Sequence, residues 1–259
     1  MKKIKVYFLK FFEMFKWFVN TFNLRKDFET SSKLVVFCEL CTSLTSIKVN
    51  CLLAISLREE FDIMVIFPKY SPFYEFFYKI IGIKKFIYLN QPLSNKKITN
   101  VDKIWDVLKQ KKNILNYSYE SIRVGKFIGS KILRENEIGK FDFDKIDNAQ
   151  IKMYLYNAIA KIENFKRIIK KIKINFLIFN ERGYTPSGEI FEVALKNNIK
   201  CIQWFGSPID KYHSLKCYNW RMREHHPLKL KKNTIKKLLR ADINKSISSK
   251  VILYLKDQY

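Results

Sequence analysis

The chain has 259 residues and a formal net charge of +25, from 49 Lys and Arg against 24 Asp and Glu. Hydrophobic residues make up 47% of it, and glycine and proline are scarce, which excludes a disordered chain and a loop-rich repeat protein. The charge indicates an anionic partner, such as nucleic acid, acidic lipid or a phosphorylated substrate. Coding bias is the alternative source, because Lys, Ile, Asn and Phe are enriched together, as in AT-rich genomes.

Five cysteines, an odd number, and the lack of a recognisable secretory signal predict a reducing cytosol. Cys38 and Cys41 form a C-x-x-C motif, but no second cysteine pair has the spacing of a zinc site. We therefore expect buried thiols here rather than redox or metal chemistry.

Residues 4–24 predict an amphipathic helix that is basic and rich in aromatic side chains. Lys10, Glu13, Lys16 and Asn20 recur at helical spacing, and the remaining positions are mostly Phe, Trp, Leu, Val and Met. The stretch has too few consecutive apolar residues to span a bilayer. Two interpretations stay open: a helix lying on an anionic inner-leaflet membrane surface, and a helix packed on the protein's own core.

Five short apolar runs predict buried strands that share one parallel sheet. They lie at 34–38, 62–67, 85–89, 174–179 and 201–205. Because helical patterns alternate with these runs, the fold class is α/β, a Rossmann-like parallel sheet flanked by helices and preceded by the N-terminal helix. The motif G-x-G-x-x-G does not follow the first run, which disfavours a dinucleotide site.

A helical insertion at about 100–172 separates the third and fourth predicted strands. Within its predicted helix at 120–135, Gly125 and Gly129 fall on one face. This spacing either admits a second backbone or a ligand, or arises by chance. After the last strand, residues 210–230 are predicted to be irregular and 232–257 to be helical.

Four segments together carry a family resemblance. They are VVFCELCTSLTSIKVNCLLAISL at 35–57, SIRVGKFIGSKILRE at 121–135, FNERGYTPSGEIFEVALKNNIKCIQWFGS at 179–207 and YNWRMREHHPLKL at 218–230. They resemble bacterial capsule and surface-polysaccharide biosynthesis proteins of the GT-B glycosyltransferase type. Arg223, His226 and Pro227 match an R-x-x-H-P pattern of that group. One departure is that the group carries an acidic residue near the position of Ser130 and Lys131.

The resemblance implies the acceptor-side half of a GT-B enzyme, in which a second Rossmann-like domain binds most of the sugar nucleotide. On this basis, 1–30 is the amphipathic helix, 31–230 the acceptor-side domain, and 231–259 a helical segment leading to a donor domain that is missing from this sequence. It implies a nucleotide sugar as donor substrate, a glycan or lipid-linked acceptor, no cofactor and no metal. It also implies a fragment, or a subunit that works with a separate donor-domain subunit, on the cytoplasmic face of the cell membrane.

Inverting glycosyl transfer needs a general base for the acceptor hydroxyl and cations for the leaving diphosphate. The candidates for the base are Glu181, His213 and Asp210, which follow the fourth and fifth strands at the edge where open α/β sheets bind ligands. The alternatives are a surface pair of Glu181 with Arg182 and an ordinary loop histidine. The candidates for substrate binding are Glu39, Arg182, Tyr184, Ser207, Arg221, Arg223 and His226. For the last three, a solvated basic loop is the competing interpretation.

Three functions compete. The first is a glycosyltransferase of surface-polysaccharide biosynthesis. The second is a non-catalytic scaffold that binds glycan or lipid and partners a separate donor domain. Nucleic-acid binding ranks last, because the lysines are spread along the whole chain and no nucleic-acid motif is present.

Overall fold

A computed structural model of the chain describes residues 2–24, 31–40, 43–206 and 213–229. The chain divides into two compact units, Met1–Arg223 and Glu224–Tyr259. The description below concerns the first unit, except where His226 of the second unit is named. The helix predicted at 232–257 and the linking segment predicted at 231–259 lie outside the described residues.

One six-stranded sheet forms the centre of the first unit. Its strands are β1 Leu34–Cys38, β2 Asp62–Phe67, β3 Phe86–Tyr88, β4 Phe176–Phe179, β5 Lys200–Gly206 and β6 His213–Tyr218. Their order in the sheet is β3-β2-β1-β4-β5-β6, and the first five are parallel. The predicted α/β class and the five predicted parallel strands are therefore confirmed. The order is that of doubly wound Rossmann-like sheets.

The prediction of irregular structure at 210–230 is wrong for the residues of β6. This strand pairs antiparallel with β5, in a register that places His213 opposite Gly206 and Tyr218 opposite Cys201. Its side chains alternate between more exposed and more buried positions, as expected for an edge strand with one solvated face. Polar residues occur on both faces of β6, with His213 at an exposed position and Ser214 and Lys216 at half-buried ones, and they weakened the apolar signal from which strands were predicted.

Helices cover both faces of the sheet. They are α1 Lys2–Thr21, α2 Leu44–Leu57, α3 Pro72–Ile80, α4 Asn95–Lys111, α5 Val124–Glu135, α6 Asn148–Lys171 and α7 Ser187–Lys196. Strand β1 shows how the two layers form, because Val36 and Cys38 pack into the core under α4 to α7, while Val35 and Phe37 pack into the core under α1 to α3. This two-sided burial explains why the parallel strands are apolar without interruption.

The predicted N-terminal helix is present as α1, and one side of it packs on the helical layer formed by α2 and α3. Trp17 is buried, and its indole Nε1 donates a hydrogen bond to the Phe77 carbonyl at 3.2 Å. Lys48 of α2 forms an ion pair with Glu13 at 2.7 Å. None of the helices in the described ranges combines the length and apolarity that crossing a bilayer requires.

Glycine explains the close packing of α5. The amide of Gly125 donates a hydrogen bond to the Tyr117 carbonyl at 2.9 Å, and the position a Cβ atom would take at residue 125 is 2.8 Å from the carbonyl carbon of Ile114. At Gly129 the corresponding neighbour is the side chain of Leu115. Of the two interpretations of this glycine pair, close approach of another backbone is therefore the one found at Gly125.

Candidate functional site

The strongest candidate site is a cleft beyond the carboxyl ends of β1, β2, β3 and β4. Its volume is about 930 Å³. Strands β1 and β4 are neighbours, yet β1 continues into α2 on one face of the sheet and β4 into α7 on the other. Doubly wound sheets bind their ligands at such a switch point, where the two loops separate.

The cleft is lined by strand-end loops on one side and by α5 and α6 on the other. The loops contribute Leu40, Ser43, Pro68, Lys69, Asn90, Tyr184, Thr185 and Pro186. The helices contribute Lys131, Arg134, Glu135, Tyr154, Asn157 and Lys161. Four lining residues are cationic and one is a carboxylate, so the cleft favours an anionic ligand.

Two of the cations are held by the protein itself. Lys161 donates to the carbonyls of Pro68, at 2.8 Å, and Leu89, which ties α6 to the ends of β2 and β3. Burial lowers the pKa of this lysine. Lys131 forms an ion pair with Glu135 at 2.9 Å.

Glu135 is the carboxylate of the cleft, and it stays ionised at neutral pH. Burial acts to raise its pKa, but hydrogen bonds from Tyr154 and Lys131 lower it below the ordinary value. The pair of Glu135 and Lys131 leaves Lys69, Arg134 and Lys161 as the excess cations of the cleft. Lys161 is engaged with two carbonyls, so Lys69 and Arg134 are the two that are open to a ligand.

Arg134 is placed by an aromatic contact rather than by an acid. Its guanidinium carbon lies 4.8 Å from the ring centroid of Tyr184, one of the cleft residues of the β4–α7 loop. Stacking on a ring orients a guanidinium without neutralising it. Arg134 and Lys69 are both exposed, so an anion that enters the cleft can reach them.

Glu181 follows β4 as predicted, and its carboxylate folds back over its own loop. Oε1 accepts hydrogen bonds from the backbone amides of Arg182 and Gly183, both at 2.7 Å. These bonds orient the carboxylate at the carboxyl edge of the sheet. Glu181 does not line the cleft, although Tyr184 and Thr185 of the same loop do.

Arg182, a predicted substrate-binding residue, makes its described contacts within the protein. Its guanidinium donates to the Gln203 side chain at 2.9 Å, the Arg223 carbonyl at 2.8 Å and the Tyr218 hydroxyl at 3.2 Å. It also lies over the rings of Tyr218 and Phe191, at 4.3 and 5.0 Å from their centroids. The residue therefore joins the loop after β4 to β5, β6 and α7.

The other predicted cations lie away from the cleft. Arg223 forms an ion pair with buried Glu192 at 3.7 Å and lies over the ring of Trp220. Arg221 is exposed and lines a separate depression of about 410 Å³ with residues at the start of β5, the opposite edge of the parallel strands. Neither residue lines the cleft.

Of the predicted histidines in the first unit, His213 does not line the cleft. His213 is exposed at the start of β6, with its ring 5.2 Å from the ring of Trp204. In the second unit, Nδ1 of His226 accepts a hydrogen bond from the Leu228 amide at 3.2 Å. Asp210 and Ser207 lie outside the described residues, so their places at the sheet edge stay predictions.

Glu39 follows β1 but is fully buried on the face covered by α1 to α3, not in the cleft. Its Oε1 accepts hydrogen bonds from Asn50 at 2.6 Å and from the Tyr78 hydroxyl, while Oε2 is buried without a partner among the described residues. Asn50 in turn accepts from the indole of Trp204 at 2.7 Å. Burial raises the pKa of Glu39 to about 7.

This buried acid makes the stability of the fold depend on pH. In the unfolded chain Glu39 ionises at its ordinary pKa of 4.5, whereas the folded state holds the proton up to about pH 7. The contribution of Glu39 to the free energy of unfolding is therefore fully present below pH 4.5 and is lost as pH rises through about 7. We expect Glu39→Gln, which mimics the neutral acid, to stabilise the fold at pH 8 by on the order of 2 kcal/mol and to have little effect at pH 5.

Urea unfolding of both proteins at pH 5 and pH 8 measures this difference. Glu59→Gln, which changes an exposed acid two residues beyond α2, is the matched control and should leave the pH dependence intact. Wild-type pH dependence in Glu39→Gln would mean that Glu39 does not hold its proton in the folded state. Glu189, buried at the first turn of α7 with its pKa raised to about 8 by burial, would then be the next acid to change.

The sequence interpretation missed most of the cleft, above all Lys131, Arg134, Glu135 and Lys161. These side chains lie on α5 and α6, far along the chain from the strand ends they face. The only local signal was the segment 121–135, which the family resemblance had already singled out and in which Gly125 allows α5 to approach the rest of the fold.

Comparisons with known proteins gave no match: neither protein-family models, nor curated proteins, nor solved structures resemble the chain at a significant level. Within the described ranges, no three His, Cys, Asp or Glu side chains converge where they could hold a metal ion. Cys38 is buried and its thiol has a raised pKa because of that burial, whereas Cys41 lies outside the described residues.

Proposed function

We propose that the chain supplies the acceptor-side domain of a GT-B-like glycosyltransferase that builds a bacterial surface polysaccharide. The sugar comes from a nucleotide donor and is transferred to a lipid-linked or glycan acceptor. The observation that carries the proposal is the cation-lined cleft at the switch point of a doubly wound sheet. The resemblance of the four sequence segments gives it the reaction class.

The lining of the cleft suits an acceptor that carries phosphate. Lys69 and Arg134 offer donors to phosphate oxygens, and a guanidinium can hold two of them at once. Leu40, Pro68 and Tyr184 add apolar and aromatic surface, which suits the prenyl chain or the sugar face of the same molecule. A lipid-linked acceptor bears all of these groups.

For the general base, the proposal relies on a carboxylate at the carboxyl edge of the sheet. Glu181 is the sequence-predicted candidate, and the two amides bound to Oε1 orient it while Oε2 takes no part in these bonds. Transfer to an acceptor hydroxyl requires such a proton acceptor within hydrogen-bond reach. His213, at the same edge, and Asp210, predicted from the sequence, are the alternative candidates.

The proposal places the reaction at the cytoplasmic face of the membrane, where nucleotide sugars and lipid-linked acceptors meet. A scaffold that binds the same acceptor without catalysis would use the same cleft. The two functions differ only in whether sugar is transferred when a donor and its binding domain are present.

Binding of farnesyl diphosphate, a short prenyl diphosphate, tests the cleft by titration calorimetry. We expect wild-type chain to bind it and Arg134→Glu to bind at least about tenfold more weakly, because a charge-assisted contact is replaced by repulsion. Lys103→Glu, at an exposed position on α4 away from the cleft, changes the net charge equally and should have little effect.

If both variants bind farnesyl diphosphate equally weakly, binding depends on the net charge of the chain and not on the cleft. If the wild type does not bind it, the proposal loses its basis. Chain that binds is then incubated with radiolabelled nucleotide sugars and with a prenyl diphosphate that carries one sugar. The hydroxyl groups of that sugar can accept glycosyl transfer, whereas farnesyl diphosphate has none. Label in the organic phase supports a transferase, and its absence in the presence of an added donor domain supports the scaffold.

A further inference from the structure

Helix α1 presents an apolar face whose side chains are largely exposed. Phe11, Phe15 and Phe18 recur at the spacing of one helical face, with Phe12 and Val19 beside them. The exposed fractions are Leu9 53%, Phe11 67%, Phe12 53%, Phe15 57%, Phe18 40% and Val19 60%. A contiguous apolar face of this kind on a folded protein marks an interaction site.

The apolar face belongs to a helix that is packed on the fold, because the opposite side of α1 contacts α2 and α3. Trp17 and Thr21 are buried there, and Trp17 is hydrogen-bonded to α3. Lys48 forms an ion pair with Glu13, the one acid of the helix. Lys10 lies over the ring of Phe73 in α3, 5.2 Å from its centroid.

Two further polar residues of α1 lie on a third side of the helix. Lys16 and Asn20, one turn apart, are exposed between the bound side and the apolar face. Lys2, Lys3 and Lys5 belong to the first two turns of the helix. Around its axis, α1 therefore has a protein-bound side, an apolar side and a polar side that contains Lys16, and lysines are frequent in its first turns. This is the pattern of a helix that lies in a membrane interface.

We propose that α1 docks the chain onto the surface of an anionic bilayer, with Phe11, Phe12 and Phe15 inserted among the lipids. The inference goes beyond the proposed function and stands without it, since it uses no residue of the cleft. Phenylalanine side chains enter the boundary between headgroups and acyl chains, and lysines at the rim contact acidic headgroups.

Charge favours a bilayer over a second copy of the chain as the occupant of this face. Each copy carries a net charge of +25, so pairing two copies through lysine-flanked helices brings like charges together. An anionic bilayer has the complementary charge and attracts basic segments within a Debye length of its surface.

Vesicle co-sedimentation of the full chain tests the proposal. Wild-type chain should bind phosphatidylcholine vesicles that contain about a quarter phosphatidylglycerol, and binding should weaken in pure phosphatidylcholine and at high salt. The double variant Phe11→Ser with Phe15→Ser should bind the anionic vesicles at least about tenfold more weakly. The matched control, Val107→Ser with Met153→Ser, changes two residues of similar exposure on α4 and α6 and should bind like wild type.

Wild-type binding by the Phe11 and Phe15 variant would overturn the proposal, because other lysines would then hold the vesicles. Absence of wild-type binding would overturn it as well. Sedimentation velocity without lipid tests the other occupant: a wild-type dimer that becomes a monomer in the double variant would assign the face to self-association. Circular dichroism of the variant verifies that it is folded.

Discussion

Replacing Gly125 by alanine is expected to destabilise the fold by about 3 kcal/mol, the largest effect we expect from a single methyl group in this chain. The new Cβ would overlap the carbonyl group of Ile114. A clash with backbone cannot be relieved by a rotamer change, so α5 has to move as a unit. Because α5 carries Lys131 and Arg134, the same variant should also weaken farnesyl diphosphate binding.

Urea unfolding of a graded glycine series measures this effect. Gly129→Ala meets the side chain of Leu115, which can rotate away, so its cost should be smaller. Gly139→Ala meets no atom within 4 Å and is the matched control, with a change within about 0.5 kcal/mol. If Gly125→Ala is as stable as Gly139→Ala, α5 does not approach the 114–115 turn as described.

Arg182→Ala should lower the free energy of unfolding by about 3 kcal/mol. The guanidinium donates to three acceptors and lies over two aromatic rings, and Gln203, one of the acceptors, is buried. Its removal leaves that acceptor without the donor and opens space between Phe191 and Tyr218. The loss should appear as a lower midpoint in urea with an unchanged slope.

Two further variants distinguish the loss of these Arg182 contacts from the loss of one positive charge. Arg182→Lys keeps the charge but not the planar fork, so it should recover less than half of the lost stability. Arg221→Ala removes an exposed arginine of the same region and should change stability by less than about 0.5 kcal/mol. A stable Arg182→Ala protein would instead support the predicted role of Arg182 in ligand binding.

The parallel strands could be predicted from the sequence because their pattern is local. The run at 34–38 is apolar at every position since both faces of β1 are covered, and the same holds for most of β4. Strand β6 could not be predicted in this way. It is an edge strand whose exposed residues are His213, Leu215 and Cys217, so its burial pattern is irregular in polarity although it pairs with the preceding strand β5.

The candidate site was predictable in its location but not in its residues. The rule that ligands bind beyond the carboxyl ends of strands placed the β4–α7 loop at the right edge, and Tyr184 does line the cleft. The roles of Glu39 and Arg182 depend on where their side chains turn after the strand ends, which tertiary packing decides. Which of the many lysines and arginines face the cleft depends in turn on the docking of α5 and α6.

The most direct test of an anion-binding cleft is photo-crosslinking with a benzophenone-bearing prenyl diphosphate, followed by peptide mapping. The account predicts labelling in the peptides that contain 131–135 and 184–186, and loss of that labelling when excess farnesyl diphosphate is added. Labelling confined to the lysine-rich groove at the ends of α6 and α7, which Lys166, Lys170 and Lys196 line at the opposite edge of the sheet, would contradict it.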